Sequence, residues 1–338
     1  MPDLRVAIVG VTGAVGRQFL TLLEQRGFPL ADLVPMASAR SAGQTVQLGG
    51  REYQIQEAAA DAFAAVDLAF FCANTQVSRE LAPQAVARGA VVIDKSNAFR
   101  MDPAVPLVVP EVNPNDIHQH QGIIASPNCS TIQMVVALEP IRRRAGLKRI
   151  VVSTYQAVSG SGLLALQELI SQSRAILEGQ AVEPVVYPHQ IAFNVLPHID
   201  TIGADGYSGE EMKMVRETRK IMGDEHIEIA ATTVRVPVLY GHSESIWIET
   251  EEKVTASQAR QILMEAGVKV LDDPSGNQYP LAINCAGSDD VCVGRIREDL
   301  DRPNGLLMWV VADNLRKGAA TNAIQIAEYM LAKGLLPT

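Results

Sequence analysis

Leu4-Arg5-Val6-Ala7-Ile8-Val9-Gly10 is a short apolar run entering a glycine turn, and residues 16–24 then repeat their apolar positions at helical spacing. A strand that feeds straight into a helix returns parallel to itself, so this unit commits the chain that follows to β-α-β construction. The alternation continues: strands are predicted at 32–37, 66–72 and 90–94, a helix at 78–88 ending at Gly89, and short strands at 107–109 and 122–125. Residues 1–127 therefore read as one doubly wound, Rossmann-like α/β domain.

The pattern changes beyond residue 128. Strands at 149–156, 227–236, 243–251, 294–298 and 308–312 are mixed with helices at 162–177 and 210–222, and 181–208 is loop-rich with three prolines. This is an α+β arrangement over 128–314, expected to be an open sheet with helices on one face. A final helix at about 315–333 has the length to pack back on the first domain, so 315–338 is assigned there. A chain of 338 residues suffices for two such cores. Its net charge of −9 argues against nucleic acid or an anionic membrane as the main partner. No apolar run reaches membrane-spanning length, and the N-terminus enters a strand with no signal peptide. The cysteines at 72, 129, 285 and 292 show no CxxC pair and no zinc spacing. A soluble cytoplasmic protein with reduced thiols and no metal site is expected.

Gly10-Val11-Thr12-Gly13-Ala14-Val15-Gly16 lies between the first strand and the first helix. Glycines there let the backbone approach a pyrophosphate, whose charge is met by helix N–H groups. A tight turn without a ligand is the plainer alternative. An NAD site wants an acid at the end of the second strand, to bind the ribose 2′-hydroxyl. Here the end reads Ala37-Ser38-Ala39-Arg40-Ser41 with no carboxylate, and Asp32 stands at the wrong end of the strand. Ser38, Arg40 and Ser41 suit a 2′-phosphate, which points to NADP.

Ser126-Pro127-Asn128-Cys129-Ser130-Thr131 precedes an apolar helical run at 132–138. Cys129 at a helix start meets unpaired N–H groups and the positive end of the dipole, which favour a thiolate and can hold an oxyanion. On this context alone a small buried hydrophobe fits equally well. Thioester chemistry beside a nicotinamide also needs an acid/base and cations for anionic substrate groups. Arg235 and His242 flank a Pro237–Gly241 turn, and His242 alone of six histidines follows a glycine at a strand entrance with an arginine nearby. Arg100 follows a strand at its carboxyl end, where α/β ligands bind. Glu210 and Lys213 share a helix face, while Glu211 points elsewhere and is expected to be solvated; taken alone, the 210/213 pair reads as a surface ion pair.

Together these residues resemble the aspartate-semialdehyde dehydrogenase family, of bacterial type. The resemblance runs through the glycine turn at 10–16, Lys-Ser-Asn-Ala-Phe-Arg at 95–100, Ser-Pro-Asn-Cys-Ser-Thr at 126–131 and Thr-Tyr-Gln-Ala-Val-Ser-Gly-Ser-Gly at 154–162. It continues through Glu-Glu-Met-Lys at 210–213, Arg-Val-Pro-Val with Gly-His-Ser at 235–243, and Asp-Asn-Leu-Arg-Lys-Gly-Ala-Ala at 313–320. The cysteine and glutamine segments are the specific ones. The resemblance implies NADPH-dependent reduction of 4-phospho-L-aspartate to L-aspartate 4-semialdehyde and phosphate, feeding lysine, methionine, threonine, isoleucine and diaminopimelate synthesis. It makes Cys129 the acyl-thioester nucleophile, His242 the acid/base and Gln156 a substrate-orienting amide. Arg235 would bind the substrate carboxylate, Glu210 its ammonium, and Arg100, Lys213 and Asn128 the phosphate. Gly10, Thr12, Gly13, Ala14 and Val15 would cradle the pyrophosphate of NADP, and Ser159, Gly160 and Asn314 would touch its nicotinamide half. A homodimer through a catalytic and dimerisation domain is implied too.

Three alternatives stay open. An N-acetyl-glutamyl-phosphate reductase shares the thioester logic, but its acylated nitrogen leaves an acid at 210 without an ammonium to meet. A glyceraldehyde-phosphate dehydrogenase would carry a different cysteine segment and use NAD. A non-catalytic homologue would keep the fold and lose the chemistry.

Overall fold

Apolar residues alternate sides along the first strand, β1 (Leu4–Val9): Val6 and Ile8 enter one core, Ala7 and Val9 another. A strand buried on both faces belongs inside a helix-covered parallel sheet. The computed structural model describes residues 4–336. It divides the chain into one unit running to Asn128 and resuming at Ala319, and a second over Cys129–Gly318.

In the first unit β1 leads into α1 (Ala14–Gln25) and β2 (Leu30–Ala37), then a hairpin of β3 (Thr45–Leu48) and β4 (Arg51–Gln54), and β5 (Gln56–Glu57). Next come β6 (Leu68–Phe71), α2 (Thr75–Val86), β7 (Val91–Asp94) and β8 (Ile123–Ala125). The main sheet has the order β5-β2-β1-β6-β7-β8, every pairing parallel. The chain reverses direction across the sheet between β1 and β6, which opens a crevice at their carboxyl ends.

The second unit starts with α3 (Cys129–Ala145), then β9 (Arg149–Gln156), α4 (Leu163–Leu177), α5 (Gly209–Met222), β10 (Glu228–Arg235) and β11 (His242–Glu249). After α6 (Ala256–Glu265) come β12 (Lys269–Val270), the one-turn α7 (Ala282–Cys285), β13 (Cys292–Glu298) and β14 (Gly305–Ala312). These strands form a mixed sheet ordered β10-β9-β11-β14-β13-β12. Helices α3, α5 and α6 cover one face. On the other face Val151 and Tyr155 stay exposed, and Tyr155 leans on Trp309. A last helix, α8 (Thr321–Ala332), places Ile324, Ile326 and Met330 in the core that holds Phe19 and Phe70.

Several local expectations need correction. Residues 107–109 make a single bridge, Leu107 to Ala125, because Pro106 and Pro110 bracket them and neither can donate to a ladder. The helix expected at 78 begins at Thr75, where the Asn74 side chain accepts from the Val77 N–H at 3.0 Å. The single helix expected from 315 is instead a π-helical turn, Arg316–Ala320, followed by α8. The β3–β4 hairpin, turning on Gly49 and Gly50 at φ +58° and +74°, and α6 were not anticipated. No helix among the described residues is long and apolar enough to cross a membrane.

Candidate active site

Register brings three separated residues to one end of the second sheet. β9 and β10 run parallel with Gln156 opposite Arg235, and antiparallel β11 begins at that end with His242 opposite Ala312 of β14. Gln156, Arg235 and His242 therefore leave adjacent strands side by side, and Asn314 follows two residues beyond Ala312. All four are nearly or fully buried.

His242 is wholly buried, and its Nδ1 accepts the Ala157 N–H at 3.0 Å. In the neutral ring the hydrogen then sits on Nε2. A Cβ on Gly160 would lie 3.3 Å from that Nε2 and 3.0 Å from Arg235 Nη1, so any larger residue would crowd both side chains. Arg235 donates from Nη1 to the Ala157 carbonyl at 2.7 Å, while its Nε is buried with no hydrogen-bond partner among the described residues. Tyr187 lies beneath the guanidinium, and burial pushes its phenol pKa up, partly offset by the Arg235 charge. Asn314 Oδ1 accepts from the Ser159 hydroxyl and the Gly241 N–H, both at 3.0 Å, leaving Nδ2 buried and unbonded.

Gln156 Nε2 reaches Thr154 Oγ1 and Glu210 Oε1, each at 3.3 Å. Lys213 Nζ bonds Glu210 Oε2 at 3.2 Å and Asp200 Oδ2 at 2.7 Å. Burial works against the Lys213 ammonium, but the Glu210 and Asp200 carboxylates outweigh it and hold its pKa above the ordinary value. The Glu210 side chain is only 7% exposed, so this is no ordinary surface ion pair. Glu211 is not solvated as expected either. It forms a capping box with Ser208 at the start of α5, and its other oxygen accepts the Thr233 N–H. The two adjacent glutamates thus divide the work: Glu211 starts the helix and Glu210 faces Gln156.

Cys129 is the first residue of α3, with its thiol half-buried. Gly318 presses on it, since a Cβ there would stand 3.0 Å from Cys129 Cβ. One helical turn on, Gln133 donates to the His242 carbonyl at 3.4 Å, tying the cysteine's helix to the histidine's strand.

The first unit holds the remaining expected residues. Gly10 has φ +91°, and α1 crosses so close that a Cβ on Gly16 would sit 2.3 Å from the Gly10 carbonyl oxygen. Gly13 is the N-cap of α1, so Ala14 and Val15 form its first turn with N–H groups turned outward. A cavity of about 460 Å³ lies at the β1–β6 crevice, lined by Gly10, Thr12, Gly13, Ser38, Glu57 and Asn74 among others. That glycine cradle fits the pyrophosphate of a dinucleotide. Arg40 is exposed and Ser41 half-buried in the turn after β2. Arg100 is buried and donates to the carbonyls of Ser126 and Lys95; Asn128 is buried at the last position of this unit.

Comparison with known proteins decides the family. The semialdehyde dehydrogenase NAD-binding domain matches residues 5–120, and the semialdehyde dehydrogenase dimerisation domain matches 138–317. An aspartate-semialdehyde dehydrogenase from Aquifex aeolicus is 56% identical, covering 98% of this chain and 99% of its own. One from Bacillus subtilis is 53% identical over 96% of each. This chain belongs to the aspartate-semialdehyde dehydrogenase family. Among solved structures of the family, Vibrio cholerae aspartate semialdehyde dehydrogenase II complexed with ASA is 44% identical at a TM-score of 0.96, covering 98% and 99% of the two chains. The Candida albicans enzyme with NADP is 26% identical at 0.78, covering 98% and 99%. As a family member the chain is an oxidoreductase with a nicotinamide-binding domain and a domain of the family's dimerisation type.

Sequence reasoning passed over several residues of this site. Asp200 shares Lys213 and lies in the loop-rich stretch, where nothing in its surroundings marked it. Glu57 comes to the cavity because β5 pairs beside Ala37, so an acid stands near the end of β2 after all, from another strand. Gln133 and Gly318 carry no motif of their own, and only packing against His242 and Cys129 gives them meaning.

Proposed function

We propose that this chain reduces 4-phospho-L-aspartate to L-aspartate 4-semialdehyde and phosphate with NADPH, reversibly, in amino-acid biosynthesis. The convergence of Gln156, Arg235 and His242 at one sheet end, beside the helix that Cys129 opens, is the observation that carries this reading. Its plainest support against an N-acylated substrate is Glu210, a buried carboxylate suited to a free ammonium. Arg235, with an unbonded buried Nε, suits the α-carboxylate. Arg100, Asn128 and Lys213 are assigned to the phosphate, and Gln156 orients the acyl group beside the sulfur.

The Cys129 thiolate attacks the acyl carbon; the carbon–oxygen bond to phosphate breaks and a thioester remains. NADPH, when bound, supplies the hydride that reduces this thioester. The Nε2–H of His242 donates a hydrogen bond to the alkoxide as it forms, and collapse of that tetrahedral adduct restores the carbonyl, expels the Cys129 thiolate and frees the aldehyde. Helix N–H groups at the start of α3 favour the thiolate form at both ends of the cycle. Ser38, Arg40 and Ser41 are assigned to the 2′-phosphate, Gly10, Thr12, Gly13, Ala14 and Val15 to the pyrophosphate, and Ser159, Gly160 and Asn314 to the nicotinamide half. Pairing of two copies through the uncovered face of the second sheet makes the working form a homodimer. Cytoplasmic residence is part of the same reading.

Cys129→Ala is expected to abolish phosphate-dependent NADP reduction with the semialdehyde while NADPH binding, followed by fluorescence, survives. Substantial residual turnover would overturn the scheme. Running the same assay with the N-acetyl-glutamate counterpart, and with NAD, tests the substrate and cofactor assignments separately.

A further inference from the structure

Glu244 is fully buried on β11, two residues from His242 and therefore on the same, helix-covered face. Its flanking partners are Thr154 on β9 and Val310 on β14. From α3 the Gln133 amide lies against it and acts to lower its pKa, yet neither carboxyl oxygen has a hydrogen-bond partner among the described residues. Gln133 Oε1 is likewise buried with no partner among the described residues, while its Nε2 is held by the His242 carbonyl. Turning that amide over would set Oε1 against the carbonyl, two acceptors face to face. The pocket thus holds three acceptor oxygens with no donor to meet them, a costly state for buried polar atoms.

We propose that Glu244 is a positioning residue: a neutral carboxylic acid whose O–H fastens Gln133, and through Gln133 locks the strand carrying His242 to the helix that begins with Cys129. The added hydrogen supplies a donor for Gln133 Oε1, removes the carboxylate charge and leaves the Gln133–His242 bond in place. Burial pushes the Glu244 pKa well above its ordinary 4.5, which favours the protonated acid. Its strand partners Thr154 and Val310 and the Gln133 amide do not titrate, whereas His242, two residues away on its own strand, does. The inference rests on the thioester reading of the site and adds to it how acid and nucleophile are held in register.

The sign of the pH effect follows from the raised pKa. Stability contributed by protonated Glu244 is complete below the unfolded value near 4.5 and is lost as pH rises toward the folded value. Glu244→Gln keeps a neutral donor at every pH. Its melting temperature is expected to exceed that of the native enzyme by a margin that widens from pH 5.5 to pH 8.5. In turnover, Glu244→Gln is expected to stay within threefold of native kcat and to lack the alkaline decline that Glu244 ionisation gives the native enzyme. Glu244→Leu is expected to lose at least tenfold in kcat with the semialdehyde KM within threefold. Gln133→Met carries the same expectation and replaces it should the leucine variant not fold. A Glu244→Gln loss as deep as that of Glu244→Leu, full activity in Glu244→Leu, or a melting difference that ignores pH each overturns the proposal. The melting comparison needs no catalysis, so its failure is separate from failure of the thioester reading, which Cys129→Ala decides.

Discussion

The Arg235 side chain donates from Nη1 to the Ala157 carbonyl, and its buried Nε has no partner among the described residues. An unmet buried donor costs about 1–3 kcal/mol, which is why Arg235 is proposed to hold the substrate carboxylate. Lysine retains the charge but not the planar fork. Arg235→Lys is therefore expected to raise the semialdehyde KM by roughly ten- to a hundredfold, the range that charge-assisted hydrogen bonds cover, with kcat changed much less. Steady-state kinetics on the purified variant checks this, and an unchanged KM would remove Arg235 from carboxylate binding. His242, Gln156 and Arg235 were all legible in the sequence as residues, through motif and family resemblance. Their geometry was not, because the Ala157 N–H that sets the histidine tautomer lies 85 positions away along the chain.

At the scale of elements, α5 shows how a local signal separates two neighbouring acids. Ser208-Gly209-Glu210-Glu211 spells a capping box, in which the serine and the acid three residues later satisfy each other's backbone N–H groups. That signature was present in the sequence and would have removed Glu211 from the candidates for substrate contact. Glu211→Ala is expected to cost about 1 kcal/mol of stability, seen as a lower melting temperature with KM near native. Glu210→Ala should do the opposite, raising KM while melting changes less; the reverse pattern would exchange the two roles. The same kind of signal, Thr255 with Gln258, opens the unanticipated α6. The paired glycines at 49–50 marked the missed hairpin. At α1, contact rather than propensity sets the requirement. Gly16→Ala would drive a Cβ into the Gly10 carbonyl and the Val11 backbone, and is expected to weaken NADPH binding at least tenfold in a fluorescence titration.

At the scale of the whole molecule, the second sheet is covered on one face only, with Val151, Tyr155 and Trp309 on the other. Exposed large apolar side chains grouped on a sheet face are where the proposed pairing of two copies would form. If the proposed homodimer forms through this face, replacing both Val151 and Tyr155 by glutamate is expected to shift sedimentation from dimer to monomer while NADPH binding by the first unit persists. A variant that stays dimeric would place the contact elsewhere. The doubly wound first unit followed from strand and helix periodicity alone, and most strands of the second sheet were also placed to within a few residues.

What the sequence by itself determined was local: the glycine turn at 10–16, the strand and helix periods, the cysteine at a helix start, and the set of residue types that thioester chemistry needs. These are written in neighbouring residues, because backbone capping and side-chain periodicity act over a few positions. Tertiary structure alone decided the rest. Strand register brought residues 156, 235 and 242 to one sheet end, and the Ser159 hydroxyl met Asn314 across 155 positions. It also buried Glu244 behind His242 among acceptors, which no stretch of chain around it announces, because burial is a property of the assembled core and not of the strand.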